Sequence, residues 1–149
     1  MTPPLPGLDP GEHVRAAAPA SFRGALVASG RALFAFASER SRNRAYEAWA
    51  QRVAPDFPAA GPEMVIGVTD RDVVVWSTSF GLNRPVAVAG RLPIDRVHDV
   101  STVRHGIVTG VAFALDDGTI VEIEAVRGRR LRRFAAEVRT LIAERRGRA

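Results

Sequence analysis

The stretch EAVRGRRLRRFAAEVRTLI, Glu124 to Ile142, holds the residues whose type and spacing point most directly to chemistry. Arg127, Arg129, Arg130, Arg132 and Arg133 place five guanidinium groups within seven residues. Planar guanidinium forks grip phosphate or carboxylate at two points, and free N–H groups at a helix start would add to such a site. Arginine in a first helical turn also opposes the macrodipole, at a cost of roughly a few tenths of a kcal/mol each when exposed. The structural alternative is a solvated basic helix side screened by Glu122, Glu124 and neighbouring acids.

Other constellations carry less. RVHDVSTV holds His98, Asp99 and Ser101, the residue types of a nucleophilic triad. Neighbours on a regular strand point to opposite faces, so His98 and Asp99 are not expected to pair. No Gly-x-Ser-x-Gly elbow occurs. His13, His98 and His105 are too few and too scattered for a metal site in a chain without cysteine. Glu122 and Glu124 share a strand face, as an acid–base pair would, but beside so many arginines they read as ion-paired surface. GIVTG lacks the lysine-plus-hydroxyl ending of a phosphate-binding loop, and no dinucleotide fingerprint follows a strand. Neither an enzyme nor a cofactor is expected, with a hydrolase or transferase of unrecognised site as the alternative.

Charge is unevenly distributed. The net charge is +5, and all 21 basic residues are arginine. Residues 126–149 set nine arginines against Glu137 and Glu144, a balance of +7, which leaves −2 for residues 1–125. A polynucleotide is therefore the weaker choice of anion: most of the chain would repel it, and the patch lacks interleaved aromatics for stacking. No helix-turn-helix or zinc-finger pattern appears, so nucleic acid remains only as a weak binder at the Arg patch. With 149 residues, 46% hydrophobic and 25% charged, one globular domain is expected. The start, MTPPLPGLDPGEH, has no basic region followed by an apolar core, so no signal peptide is expected and a cytoplasmic location is the default. GALVASGRALFAFA, from Gly24 to Ala37, is too short to span a bilayer and carries Arg31.

The elements that would position these residues follow from period and punctuation. Pro3, Pro4, Pro6 and Pro10 make residues 1–11 a disordered or extended tail ahead of a single domain over 12–145. EHVRAAA reads as a short strand. Leu33, Phe36, Tyr46, Trp49 and Val53 recur at helical spacing, so an N-terminal helical insertion, one helix or two, is expected at about 26–54. Its apolar residues either cover a sheet face, the favoured reading, or meet a partner chain or bilayer. APDFPAAGP ends it. Beyond lie period-two runs: MVIGVT, VVVWSTSF, VAVAG, RVHDVSTVR, VTGVAFAL and TIVEIEA, with a break at Pro93. Trp76 and Phe80 share a strand face, and core packing is expected for both, as for Tyr46 and Trp49. Asp117-Gly118 has the composition of a type I′ hairpin turn. No crossover helices intervene, so the sheet should be antiparallel. Leu131, Phe134, Ala135, Val138, Leu141 and Ile142 fall on one helical stripe, with Gly128 as N-cap and a frayed RRGRA end.

From Glu63 to Glu144 this pattern, VIGVTDRDVVVW…GRLPIDRVHDV…GVAFALDDGTIVEIEAVRGRRLRRFAAEV, resembles the bacterial PH-like (pleckstrin-homology-like) domain proteins of high-GC genomes. The resemblance implies an α+β fold: a PH-like antiparallel barrel or sandwich of about seven strands whose open corner an amphipathic C-terminal helix plugs. It implies a non-catalytic role in ligand, peptide or membrane binding, or in scaffolding. Phosphoinositide-binding relatives carry basic residues in and after the first hairpin. Here the helical residues occupy that connection without a comparable basic pattern. The expected function is a binding or scaffold module whose partner is a protein or an anionic surface, met at Arg127, Arg129, Arg130, Arg132 and Arg133.

Overall fold

β-Branched residues set the sheet, as continuous apolar runs in some strands and with period two in others, and the change to period 3.6 after Val126 sets the helix. The computed structural model describes residues 5–22, 57–58, 64–78, 84–126 and 128–148. Its strands are β1 (Ala16–Phe22), β2 (Met64–Val68), β3 (Asp72–Thr78), β4 (Pro85–Pro93), β5 (Val97–His105), β6 (Val108–Leu115) and β7 (Ile120–Val126). A 3-10 turn at Ile94–Arg96 joins β4 to β5, and helix α1 spans Arg129–Gly147. The helical insertion expected at about 26–54, with Tyr46 and Trp49, lies outside the described residues, as does Phe80.

All strand pairs are antiparallel, in the order β4-β3-β2-β1-β7-β6-β5. Strand β1 serves both halves. Ala16 to Ala20 pair with Val68 to Met64, whereas Ser21 and Phe22 pair with Glu124 and Ile123 of β7. Over Ala16 to Ala20 β1 therefore has β2 on one side and no paired strand on the other among the described residues. That unpaired length also accommodates Pro19, which a strand laddered on both sides would disfavour. The sequence placed a strand at EHVRAAA, but it begins only at Ala16. Ala-Ala-Ala-Pro-Ala has little intrinsic strand preference, and pairing with β2 decides its extent.

Helix α1 packs on β1, β2, β5 and β6 through the stripe its spacing dictates. Leu131, Phe134, Ala135 and Val138 are completely buried. Removing a side chain such as Leu131 or Val138 from water stabilises the fold by roughly 1.5–3 kcal/mol. Phe134 meets Phe113 of β6 with ring centroids 6.0 Å apart, and Phe113 meets Phe57 at 5.3 Å. The Pro-rich break thus contributes Phe57 to the core. The helix end is not frayed as RRGRA suggested: Arg145 Nη1 donates to Asp95 Oδ1 at 2.9 Å, and Arg146 donates to the carbonyl of His98.

Gly128 ahead of α1 is required by space, with no side-chain cap bond of its own. A Cβ there would lie 2.5 Å from Cβ of buried Thr109. At the β6–β7 turn, Gly118 N–H donates to the carbonyl of Leu115 and Leu115 N–H to that of Thr119. The loop is thus three residues with Gly118 at φ 88, in place of the expected two-residue type I′ turn.

Strands β2 and β3 are buried on both faces. Met64, Ile66, Val68, Val73 and Val75 join the main core beneath α1. Val65, Val74 and Trp76 form a second cluster on the opposite face, against Leu5, Leu8 and Val14. The run of prolines suggested a disordered or extended stretch over 1–11. From Leu5 onward it is irregular but tied down, with Trp76 Nε1 donating to the carbonyl of Pro6 at 2.9 Å. Expected as core, Trp76 is fully buried beneath this N-terminal strap.

Candidate functional site

The first two turns of α1 carry the predicted basic cluster, and no acid occupies the first turn. Arg129, Arg130, Arg132 and Arg133 are all exposed. Among the described residues none of the four makes an ion pair or hydrogen bond through its guanidinium. Arg127 lies outside the described residues. Five of the other described arginines are ion-paired, whereas Arg84, Arg104, Arg139 and Arg148 stand singly along the chain without an ion pair among the described residues. Arg15 holds Asp70 and Glu144, Arg71 holds Asp9 and Glu12, Arg91 holds Glu12 and Asp72, Arg96 holds Asp116, and Arg145 holds Asp95. The screening acids that the sequence suggested for the helix cluster, Glu122 and Glu124, stand across the β6–β7 ladder from Ala112 and Gly110.

The fold divides the four arginines. Arg130 and Arg133 line an open groove of about 460 Å³ between α1 and the N-terminal segment, whereas Arg129 and Arg132 do not. Leu5, Leu8 and Val14 supply its apolar wall, and Ala16 and Ala17 belong to the unpaired length of β1. His13, exposed, adds a further polar group to the lining.

Two other charged residues line the groove but have their charge taken up elsewhere. Glu12, whose side chain is 4% exposed, accepts from Arg91 Nη1 at 2.8 Å, Arg91 Nη2 at 2.9 Å and Arg71 Nη2 at 3.2 Å. Asp9 N–H adds a fourth bond at 3.1 Å. The Arg91 hydrogen bonds, against a smaller opposing effect of burial, hold the Glu12 carboxyl down at about 2. So acidic a group is a poor proton acceptor near neutrality. Arg91 is raised correspondingly, chiefly by Glu12. Arg15, raised by Glu144 and then Asp70, staples the start of β1 to α1. The net unspent charge facing the groove is that of Arg130 and Arg133.

The triad-like residues do not converge. A register shift between Val97 and Asp99 bulges β5, so buried Val97 and Val100 flank two exposed residues, His98 and Asp99. The expectation that these two face opposite ways fails at the bulge. Asp99 Oδ1 nevertheless accepts from Val100 N–H at 2.8 Å and makes no bond to His98, while Ser101 is exposed one residue on. Among the described residues no three His, Asp or Glu side chains stand together as metal ligands, and no helix is long and apolar enough to cross a membrane.

The strap residues Leu5, Leu8 and Glu12 were not singled out from the sequence. Their signal was slight: two leucines three apart among prolines and glycines. Comparison with known proteins finds no matching family model and no matching curated relative.

Proposed function

We propose that this chain is a non-catalytic binding or scaffold module of PH-like architecture, and that it meets an anionic partner surface through the first two turns of α1. The order β4-β3-β2-β1-β7-β6-β5, with β1 common to both halves and α1 lying over the main core, supports the PH-like reading. That support concerns architecture and carries no role by itself.

The observation that carries the role is the concentration of four arginines without an ion pair in the first two turns of α1. Arg15, Arg71, Arg91, Arg96 and Arg145 each meet a carboxylate within the fold, as at Arg91 and Glu12. The four arginines of the helix start have no such partner among the described residues, and they stand where the helix dipole disfavours them. An external anion would relieve both conditions. An anionic membrane or an acidic protein face supplies many such groups, and each arginine near an anionic bilayer contributes about 1 kcal/mol.

The test is cosedimentation with vesicles of phosphatidylserine and phosphatidylcholine, set beside retention on heparin. Replacing Arg129, Arg130, Arg132 and Arg133 by glutamine should leave the fold intact and abolish the salt-sensitive part of both interactions. Equal binding by the fourfold variant would remove the cluster from the function.

A further inference from the structure

We propose that the groove between the N-terminal strap and α1 binds a single-chain amphiphile bearing one anionic head group. The head sits on Arg130 and Arg133, and the apolar chain lies along Leu5, Leu8 and Val14. This rests on reading the helix arginines as an anion site, and it names the ligand that two of them would take.

The groove's own chemistry selects that class. Its volume of about 460 Å³ falls among small-molecule sites, roughly 300–1,000 Å³. Both unspent cations stand on the helix wall, while the strap wall is apolar and backed by the Val65, Val74 and Trp76 cluster. A neutral ligand would leave two guanidinium groups unanswered. A ligand charged along its whole length would press charge against leucine and valine, where desolvation disfavours it. One charged end and an apolar remainder satisfies both walls. Glu12 does not repel such a head, since Arg91 and Arg71 occupy both its oxygens. His13 in the lining offers a further hydrogen bond. Carboxylate and phosphate heads both suit a pair of guanidinium forks.

Calorimetric titration of the 149-residue chain with sodium decanoate tests this. One ligand should bind per chain, with affinity rising about fourfold per methylene from hexanoate to decanoate. Arg130→Gln with Arg133→Gln should weaken decanoate about tenfold or more. The control pair Arg129→Gln with Arg132→Gln should leave it within about twofold. Decyltrimethylammonium, with the same tail and the opposite charge, should not bind. Equal affinity for hexanoate and decanoate, equal losses in the two double variants, or no heat with the wild-type chain would each overturn the groove assignment. Vesicle binding run in parallel separates the two readings. If decanoate fails while vesicles still bind through the arginines, only the groove is lost; if both fail, so does the anion site itself.

Discussion

Arg91 grips both carboxylate oxygens of Glu12, at 2.8 and 2.9 Å, across 79 residues of sequence. This two-point bond fastens the strap over the outer face of β3, where Trp76 is buried. Glu12 has a folded pKa of about 2, below its ordinary value near 4.3. A carboxyl with a depressed folded pKa stabilises fully above its unfolded pKa, and that contribution is lost as pH falls through the folded value. Glu12→Gln should therefore destabilise the protein by roughly 1–3 kcal/mol at neutral pH. The difference from wild type should shrink between about pH 4.3 and 2. Urea unfolding of both proteins across that range checks it, and a difference independent of pH would show that ionisation of Glu12 contributes nothing.

Phe134 sits between Phe113 and the rest of the helix stripe with no solvent exposure. Phe134→Ala should cost about 3–5 kcal/mol, and Val138→Ala should also lower the melting temperature. Thermal melts followed by circular dichroism decide the point; wild-type melting of both variants would mean that this stripe is not the core contact of α1.

Gly128→Ala is a backbone-tolerant change at φ −71, yet it would drive a methyl group into Thr109. Separating β6 from the helix start should cost about 1–3 kcal/mol, read from chemical denaturation. Unchanged stability would mean that this close approach is loose.

How much could be read in advance varies with the local signal. Strands β2 and β3 were legible as short β-rich apolar runs bounded by turn residues, and β6, β7 and the buried side of α1 by the clean periods of their apolar residues. Strand β1 was displaced in the reading, since Ala16 to Ala20 takes its conformation from β2. The β5 bulge left no mark: nothing in Val97-His98-Asp99-Val100 distinguishes a regular strand from one that turns two residues outward. For the candidate site, the arginines were legible as a cluster, but their division was not. Only the strap's path makes Arg130 and Arg133 groove residues and leaves Arg129 and Arg132 outside, and that path depends on Glu12, Arg91 and Trp76 from distant parts of the chain.

The helix arginines should cost stability in the absence of a partner. Glutamine at Arg129, Arg130, Arg132 and Arg133 removes cations from the positive end of the dipole, so the fourfold variant should melt at or slightly above the wild-type temperature. A markedly lower melting temperature would assign the arginines a structural role and undercut their reading as a partner site.

The most direct measurement is the salt dependence of binding to anionic vesicles, wild type against that fourfold variant. Four arginines at about 1 kcal/mol each predict a loss of roughly two to three orders of magnitude in affinity at low salt. Wild-type binding should fall steeply as salt rises while the variant's residual binding stays nearly flat. Wild-type binding that ignores salt, or a variant that follows the wild-type curve, would contradict an anionic partner at the start of α1.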